Sequence, residues 1–544
     1  MATNILSIGQ SALTAAQVGI NTTGHNIANA STPGYSRQVV VQGAALAQNF
    51  GFGYLGQGTE ITAVQRVYNE HLVSQAQSAQ STLSGIDSYY AQVKQINDLL
   101  ADPTAGLSAS IQGFFDSVQE LTTAPSSVSA RQSVLSTAES LVSTLQGLDS
   151  RLQEIGQDVN RQIVASVEAI NAYAEEIAVL NDAIAKAQSA TGNAPNDLLD
   201  QRDLLVSELS KEINVTVVEQ GNGDYNIFIG NGQPLVVGSV TSSLVAVGSA
   251  TDPEKIEVGY LAADGSTVVV GESSFSGGTL GGLIEFRADS LVSTQNALGR
   301  IAIGLATTFN EQHVAGYDLN GVAGGAFFSV GTPVVGASSL NTGSASVGAA
   351  IVDVGALTTS DYQLSYDGSS YTLTRLSDGT TTSFASLPQT VDGVEISLSG
   401  TPAAGDNFLI QPTANGASAF AVLLADPAEI AAASAPGASG DNTNALALAA
   451  LQTEKLLGNG TSSYLDAFGQ LVSEVGNKTR ELEISRATAA SILEQATIAV
   501  QSESGVNLDE EATNLLRYQQ AYQAAAKMMQ IAKEMFDLLV SLGR

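Results

Sequence analysis

The chain has no cysteine in 544 residues, which excludes disulfides, thiolate metal sites and cysteine nucleophiles, though it does not fix a compartment. Histidine is nearly as scarce. His25, His71 and His313 are the whole supply, and no two have the spacing of a helix-borne metal site. Basic residues are few as well: 21 against 53 acidic residues leaves a net charge of −32, which argues against a nucleic-acid surface and against attraction to anionic membranes. No apolar run approaches the length that spans a bilayer, so membrane insertion is not expected. The first residues lack a basic segment followed by an apolar stretch and a cleavage site. The expectation is a chain that stays in the cytoplasm or leaves the cell by a route needing no cleaved signal.

Heptad stripes occupy both ends. Leu6, Leu13, Ile20 and Ile27 fall seven apart, as do Leu508, Leu515, Tyr522, Met529 and Phe536. Glu511, Tyr518, Ala525, Ala532 and Leu539 follow at the next interior position. The first segment is rich in Gly, Asn and Thr and is a poor helix former alone, so its stripe calls for a partner. The economical expectation is that the two ends pack on each other or on further copies of the chain.

Between the ends the pattern changes period several times. Helix from Ala2 to about Asn29 stops at Asn29-Ala30-Ser31-Thr32-Pro33-Gly34-Tyr35, where the pre-proline Thr32 is extended and Pro33-Gly34 suits a type II turn. Alternation over 37–41 and 59–67 predicts a hairpin or arm, with helices from Tyr68 to about Lys211 broken at Asp102-Pro103 and Ala124-Pro125. Ile213, Val215, Val217 and then Tyr225, Ile227, Ile229 open a β region lasting to about Ser276. Helix returns over 280–314. A second β region over 316–412 is punctuated by Asp367-Gly368, Asp378-Gly379 and Asp392-Gly393, and a mobile connector follows to Gly440. Helix dominates 444–503, and Asn507 caps a terminal helix whose Asp509, Glu510 and Glu511 favour its dipole. The predicted fold is multidomain α+β and nested. Residues 1–35 with 508–544 form an inner helical domain; 36–212, 277–315 and 441–507 a long-helix bundle with the hairpin arm; 213–276 and 316–440 two antiparallel β-rich insertions.

Gly24-His25-Asn26-Ile27-Ala28-Asn29-Ala30-Ser31-Thr32-Pro33-Gly34-Tyr35-Ser36-Arg37 closely resembles the amino-terminal signature of bacterial flagellar rod, hook and hook-associated proteins. With Val506-Asn507-Leu508-Asp509-Glu510-Glu511-Ala512-Thr513-Asn514-Leu515, and Tyr518-Gln519-Gln520-Ala521-Tyr522, the resemblance is to the hook-associated protein 1 family. Asp197-Leu198-Leu199-Asp200-Gln201-Arg202-Asp203 and Phe309-Asn310-Glu311-Gln312-His313, which leads into Gly316-Tyr317-Asp318-Leu319-Asn320-Gly321, resemble landmarks of that family. The resemblance implies an extracellular structural protein at the hook-filament junction, with no catalysis and no cofactor. It implies paired terminal helices polymerised in a helical ring of copies, hook protein on one side and the second junction protein on the other. It further implies export through the flagellar type III apparatus, with a cytoplasmic chaperone on the carboxyl-terminal region. On this reading Leu6, Leu13, Ile20, Ile27, Leu508, Leu515, Tyr518, Tyr522, Met529, Phe536 and Leu539 are subunit-interface residues. Asn29, Thr32, Pro33, Gly34 and Tyr35 form the hinge.

Other chemistries are weakly signalled. Gly51-Phe52-Gly53-Tyr54-Leu55-Gly56 matches a dinucleotide fingerprint in letters but precedes a strand-like segment, so a loop at a subunit contact is the better reading. Asp318-Leu319-Asn320-Gly321 lacks the acidic twelfth ligand of a calcium loop and reads as a turn. Asp197, Asp200 and Asp203 with Arg202 read as a capped helix start. The alternatives are another flagellar axial protein, hook-like or the second junction protein, or a secreted carbohydrate-active or carbohydrate-binding protein.

Overall fold

The computed structural model describes residues 2–542 except 50, 52, 102–105, 222, 231 and 263. Helix α1 (Ala2–Asn29) leads through a turn into β1 (Gln38–Ala44), which pairs antiparallel with β4 (Thr59–Arg66). Between them β2 (Gln48–Asn49) and β3 (Tyr54–Leu55) pair at the outer end, so the predicted arm is present. Helices α2 (Glu70–Leu100), α3 (Leu107–Thr123), α4 (Val128–Thr191) and α5 (Asn196–Glu212) follow. The expected break at Asp102-Pro103 lies outside the described residues, whereas that at Ala124-Pro125 separates α3 from α4. Helix α4 has 64 residues, roughly 96 Å at 1.5 Å per residue. Leu152, Ile155, Val159 and Ile163 keep one face buried along it, Ser127 caps its start, and Gly192 at φ 68° ends it.

The first β region forms two small antiparallel sheets. One orders β5 (Val215–Glu219), β6 (Tyr225–Ile229), β7 (Gln233–Val237) and β8 (Val240–Thr241); the other places β10 (Ile256–Leu261) between β9 (Leu244–Gly248) and β11 (Thr267–Val269). Ile213, expected to begin a strand, instead caps the end of α5, two residues before β5, and is buried there. Ile227, Ile229, Leu235 and Val236 share one core with the helices, because the sheet's inward face lies on α4. Helices α6 (Gly278–Phe286) and α7 (Val292–Val314) are joined through a π turn at 287–291 and continue that core.

The second β region has its own core, including Val347, Leu364, Leu373, Ile396, Phe408 and Ile410. Its strands are β12 (Val334–Ala337), β13 (Ser346–Ile351), β14 (Tyr362–Tyr366), β15 (Tyr371–Arg375), β16 (Thr381–Phe384), β17 (Gln389–Val391), β18 (Val394–Ser399) and β19 (Asn407–Gln411). They make a five-stranded sheet, β12-β19-β14-β15-β16, and a three-stranded one, β13-β18-β17. The Asp392-Gly393 turn between β17 and β18 has positive φ at both residues, as a tight hairpin requires.

The connector over 413–440 is not the mobile stretch its composition suggested. Phe420 stacks on Phe328 at 4.5 Å, Ile430 to Ala433 are buried, and the Arg131 guanidinium donates to Ile430 O at 2.5 Å and to Pro427 O at 3.3 Å. Small residues are selected here by close packing. His313 fixes the same region: its Nδ1 lies 2.7 Å from Gly325 O, and Nε2 accepts the Ala431 N–H at 2.8 Å. Helix α8 (Thr443–Ala450) is followed by turns before α9 (Tyr464–Ser504), whose start has a capping box of Ser463 and Asp466. The chain ends on α10 (Leu508–Leu542), where Asn507 Oδ1 accepts the Asp509 N–H at 3.0 Å, as expected.

Candidate functional site

Helices α1 and α10 pack antiparallel: Gly9 meets Met529, Gly19 meets Tyr518, and Asn26 meets Glu511. Glycine lets them approach closely. A Cβ on Gly19 would stand 2.5 Å from the Tyr518 ring, and one on Gly9 3.0 Å from Met529 Cγ. The buried residues of α1 are Gly9, Ala15, Ala16, Gly19, Thr23 and Asn26; those of α10 are Glu511, Ala525 and Ala532, with Tyr518 half-buried. The large-residue stripes border this seam. Leu6, Leu13, Ile20, Leu515 and Met529 are half-buried, while Ile27, Leu508, Tyr522 and Phe536 are exposed. The side chain of Leu539 lies outside the described residues. Tyr518 and Tyr522 need no buried hydroxyl partner, because the first lies half-buried over a glycine and the second is exposed.

One end of the seam is tied by a polar knot around Asn26. Its Nδ2 donates to Gln38 O at 2.9 Å and to Glu511 Oε2 at 3.1 Å; its Oδ1 accepts from Gln38 N at 3.0 Å and from the Tyr35 hydroxyl at 2.7 Å. All four hydrogen-bonding capacities of the amide are used. Arg37 completes the knot, with Nε 2.9 Å from Glu511 Oε1 and Nη1 2.9 Å from Glu510 Oε2. Burial, then the charges of Asp197, Asp200 and Glu511, push the Tyr35 hydroxyl well above its ordinary range, so it remains a donor. Glu511 therefore does more than favour the dipole of α10: it fastens that helix to α1 and to Arg37, the residue ahead of β1.

The turn has the predicted form. Gly34 has φ 76°, and the Tyr35 N–H donates to Thr32 O at 3.2 Å, while the Asn29 amide donates to His25 O at 3.1 Å. Gly34 is required twice, since a Cβ there would also lie 3.0 Å from Leu204 Cβ on α5. The Asp197, Asp200 and Asp203 group is a docking platform for the turn and arm, not a capped helix start. No side chain caps α5. Gln38 Nε2 donates to Asp197 Oδ1 at 3.0 Å, Ser36 N to Asp200 Oδ2 at 3.2 Å, and Arg66 reaches Asp200 and Asp203 at 2.8 and 2.7 Å. Arg202 points elsewhere. It lies over the Tyr225 ring at 3.4 Å and donates to Asn181 Oδ1 and Gly223 O, holding the β5-β6 turn. Beside the turn, a cleft of about 940 Å³ opens between α2, α5 and the end of α9.

Asn26, Gln38, Arg66 and Asp200 were not singled out from sequence as site residues. Their signal was available in part: Asn26 interrupts an α1 line of Gly, Ala and Thr, and Glu511 interrupts one of Tyr and Ala. A polar residue on each facing line asks for a partner. Among the described residues no three histidine or acidic side chains are arranged to hold a metal ion, and no helix is long and apolar enough to cross a membrane.

Comparison with known proteins extends this picture. Residues 6–35 match a flagella basal body rod protein family and residues 500–542 the carboxyl-terminal family of flagellar basal body rod proteins. Paired, knotted terminal helices of this kind define a structural axial protein of the bacterial flagellum. Residues 93–328 match the flagellar hook-associated protein FlgK helical domain, and residues 337–412 the D2-like domain of flagellar hook-associated protein 1. The chain is 38% identical over 544 residues to flagellar hook-associated protein 1 of Escherichia coli (strain K12), covering 99% of this chain and 100% of the relative. It is 39% identical over 551 residues to that of Salmonella typhimurium, again covering 99% and 100%. The structure of the flagellar hook junction protein FlgK from Burkholderia pseudomallei superposes with a TM-score of 0.75 at 30% identity, covering 79% of this chain and 100% of that one. The chain belongs to the flagellar hook-associated protein 1 family. That membership carries a place in the flagellum, self-assembly and axial partners.

Proposed function

We propose that this chain joins hook to filament by polymerising through its terminal helices. The observation that carries the reading is the one-sided burial of α10: it packs along α1 by Glu511, Ala525 and Ala532, while Leu508, Tyr522 and Phe536 are exposed. A long helix with apolar surface on more than one side asks for more than one neighbour. Leu6, Leu13, Ile20 and Ile27 of α1, with Leu515, Tyr518, Met529 and Leu539 of α10, supply the remaining contacts between copies. Such heterologous contacts build a helical ring. Residues 1–35 with 508–544 form the inner layer; 36–212, 277–315 and 441–507 the helical layer; 213–276 and 316–440 the outer β modules. The Asn29, Thr32, Pro33, Gly34 and Tyr35 turn sets the angle between the first two layers.

The axial neighbours on this reading are the hook protein and the second junction protein. The chain leaves the cell unfolded through the flagellar type III apparatus without a cleaved signal, with a cytoplasmic chaperone covering the carboxyl-terminal region until export. Termini completed by neighbours support this, because ordering is then coupled to assembly. Deleting residues 508–544 is expected to leave the outer modules folded and to abolish incorporation at the hook tip. Normal incorporation of that truncation overturns the reading.

A further inference from the structure

The arm built on β1 and β4 ends in apolar residues that its own chain leaves uncovered: Leu46 is 92% and Tyr54 76% exposed, and Leu55 is exposed beside them. The outer end of the β1–β4 ladder, from which the tip springs, is by contrast fixed to α1. The Thr59 N–H donates to Ser11 Oγ at 3.3 Å, and Gly58 approaches so closely that a Cβ would stand 3.2 Å from Ile8 Cα. The tip is thus held out from a defined root.

A second uncovered surface lies on α10. Met528, Ile531, Met535 and Leu538 are exposed, the last two-thirds so at 63%, and their spacing of three, seven and ten places them in one stripe. At 100° per residue the stripe lies roughly 90° round the helix from the Ala525–Ala532 seam, with Lys533, Glu534 and Asp537 off it. Because Gly9 meets Met529, the point where Ile8 and Ser11 of α1 hold the tip's root at Gly58 and Thr59 stands at the level of this stripe. Both surfaces are nevertheless exposed, so the arm does not fold back on its own helix.

Charge does not oppose a meeting of two copies at these surfaces. Each carries a net −32, yet residues 38–59 contain no charged side chain and the stripe contains none. Copies can therefore approach through these two surfaces without setting like charges against each other. Two unlike apolar surfaces on one chain make a contact that repeats from copy to copy instead of closing on itself. We propose that the arm tip, through Leu46, Tyr54 and Leu55, docks on the Met528–Leu538 stripe of the next copy of this chain. The proposal rests on self-assembly through the terminal helices and assigns its donor and acceptor.

The cysteine-free chain makes the test direct. Full-length chain carrying Leu55→Cys with Ile531→Cys, assembled on hooks in cells and oxidised, is expected to give a ladder at multiples of its own mass. Neither single variant should give oligomers beyond a dimer. A cross-link closed within one chain, a cross-link to a hook or filament subunit, or an incorporated double variant without a ladder overturns the proposal. In a second arm, Leu46→Glu with Tyr54→Glu is expected to leave the circular dichroism of the monomer unchanged and to cut incorporation at least tenfold. Incorporation at the wild-type level overturns the proposal too. Failure of the underlying reading is seen separately, as normal incorporation of the chain lacking residues 508–544.

Discussion

Replacing Asn26 by aspartate keeps the side chain's shape and reverses the hydrogen-bonding sense of one atom. Nδ2 donates to Gln38 O at 2.9 Å and to Glu511 Oε2 at 3.1 Å; aspartate would present oxygen to both. The two lost bonds, one of them to a charged group, are worth about 2–4 kcal/mol together. The new carboxylate also stands beside Glu511, where two like charges repel by roughly 5 kcal/mol at an effective dielectric of 20. Arg37, 2.9 Å from Glu511, offsets part of that repulsion. A net cost of about 4–6 kcal/mol remains, or roughly three to four powers of ten in the opening equilibrium of the knot. Hydrogen exchange of residues 20–29 and 508–518, compared with wild type under the same conditions, reads it. Wild-type protection in Asn26→Asp would refute the four-way bridge.

Gly19→Leu should separate the terminal helices, since even a Cβ meets the Tyr518 ring at 2.5 Å; incorporation is lost, and Tyr518→Ala in the same chain restores part of it. Arg66→Ala leaves Asp200 and Asp203 buried without their cation, a loss of about 3–5 kcal/mol in the docking of the arm, measured as proteolysis within residues 38–66. Acid should act with opposite sign in two places. Burial holds the His313 imidazole below its ordinary value, so the stability it contributes is complete above about pH 6.5 and falls as pH drops toward its folded value. Burial pushes the Asp361 carboxyl up to about 6, so its contribution is complete below its ordinary value of 3.8 and is lost as pH rises through 6. Between about pH 7 and 5, protection factors, which divide out the intrinsic slowing of amide exchange in acid, should therefore fall around residues 310–325 and rise around β14; the same sign at both places contradicts these assignments.

Periodicity made the long elements legible before any coordinates. The stripe of α4, the arm, the alternation of β5 and β6 and the Asp-Gly turns of the second β region all report local rules, and local rules are written in adjacent residues. The Pro33-Gly34 turn was readable for the same reason. The seam of α1 and α10 was only half readable. Spacing of large residues shows where a helix can bury surface, but the closest approach follows Gly9, Gly19, Ala525 and Ala532, residues that carry little hydrophobic signal. The polar contacts were hidden by distance along the chain: Asn26 meets Glu511 across 485 residues, and Arg66 meets Asp200 across 134. The 413–440 connector misled for a related reason. Ala, Ser and Gly suit both a mobile linker and a tightly packed strap, and only the Arg131 and Phe328 partners decide between them.

The central claim is that the distal parts of both terminal helices complete their folding on neighbouring copies. Hydrogen exchange of residues 5–15 and 525–538, compared between dilute monomer and assembled flagella, tests it most directly. Fast exchange is expected there in the monomer, with protection rising toward the Asn26 knot, and slow exchange throughout both segments after assembly. Strong protection of both segments in the dilute monomer, unchanged by assembly, would contradict it.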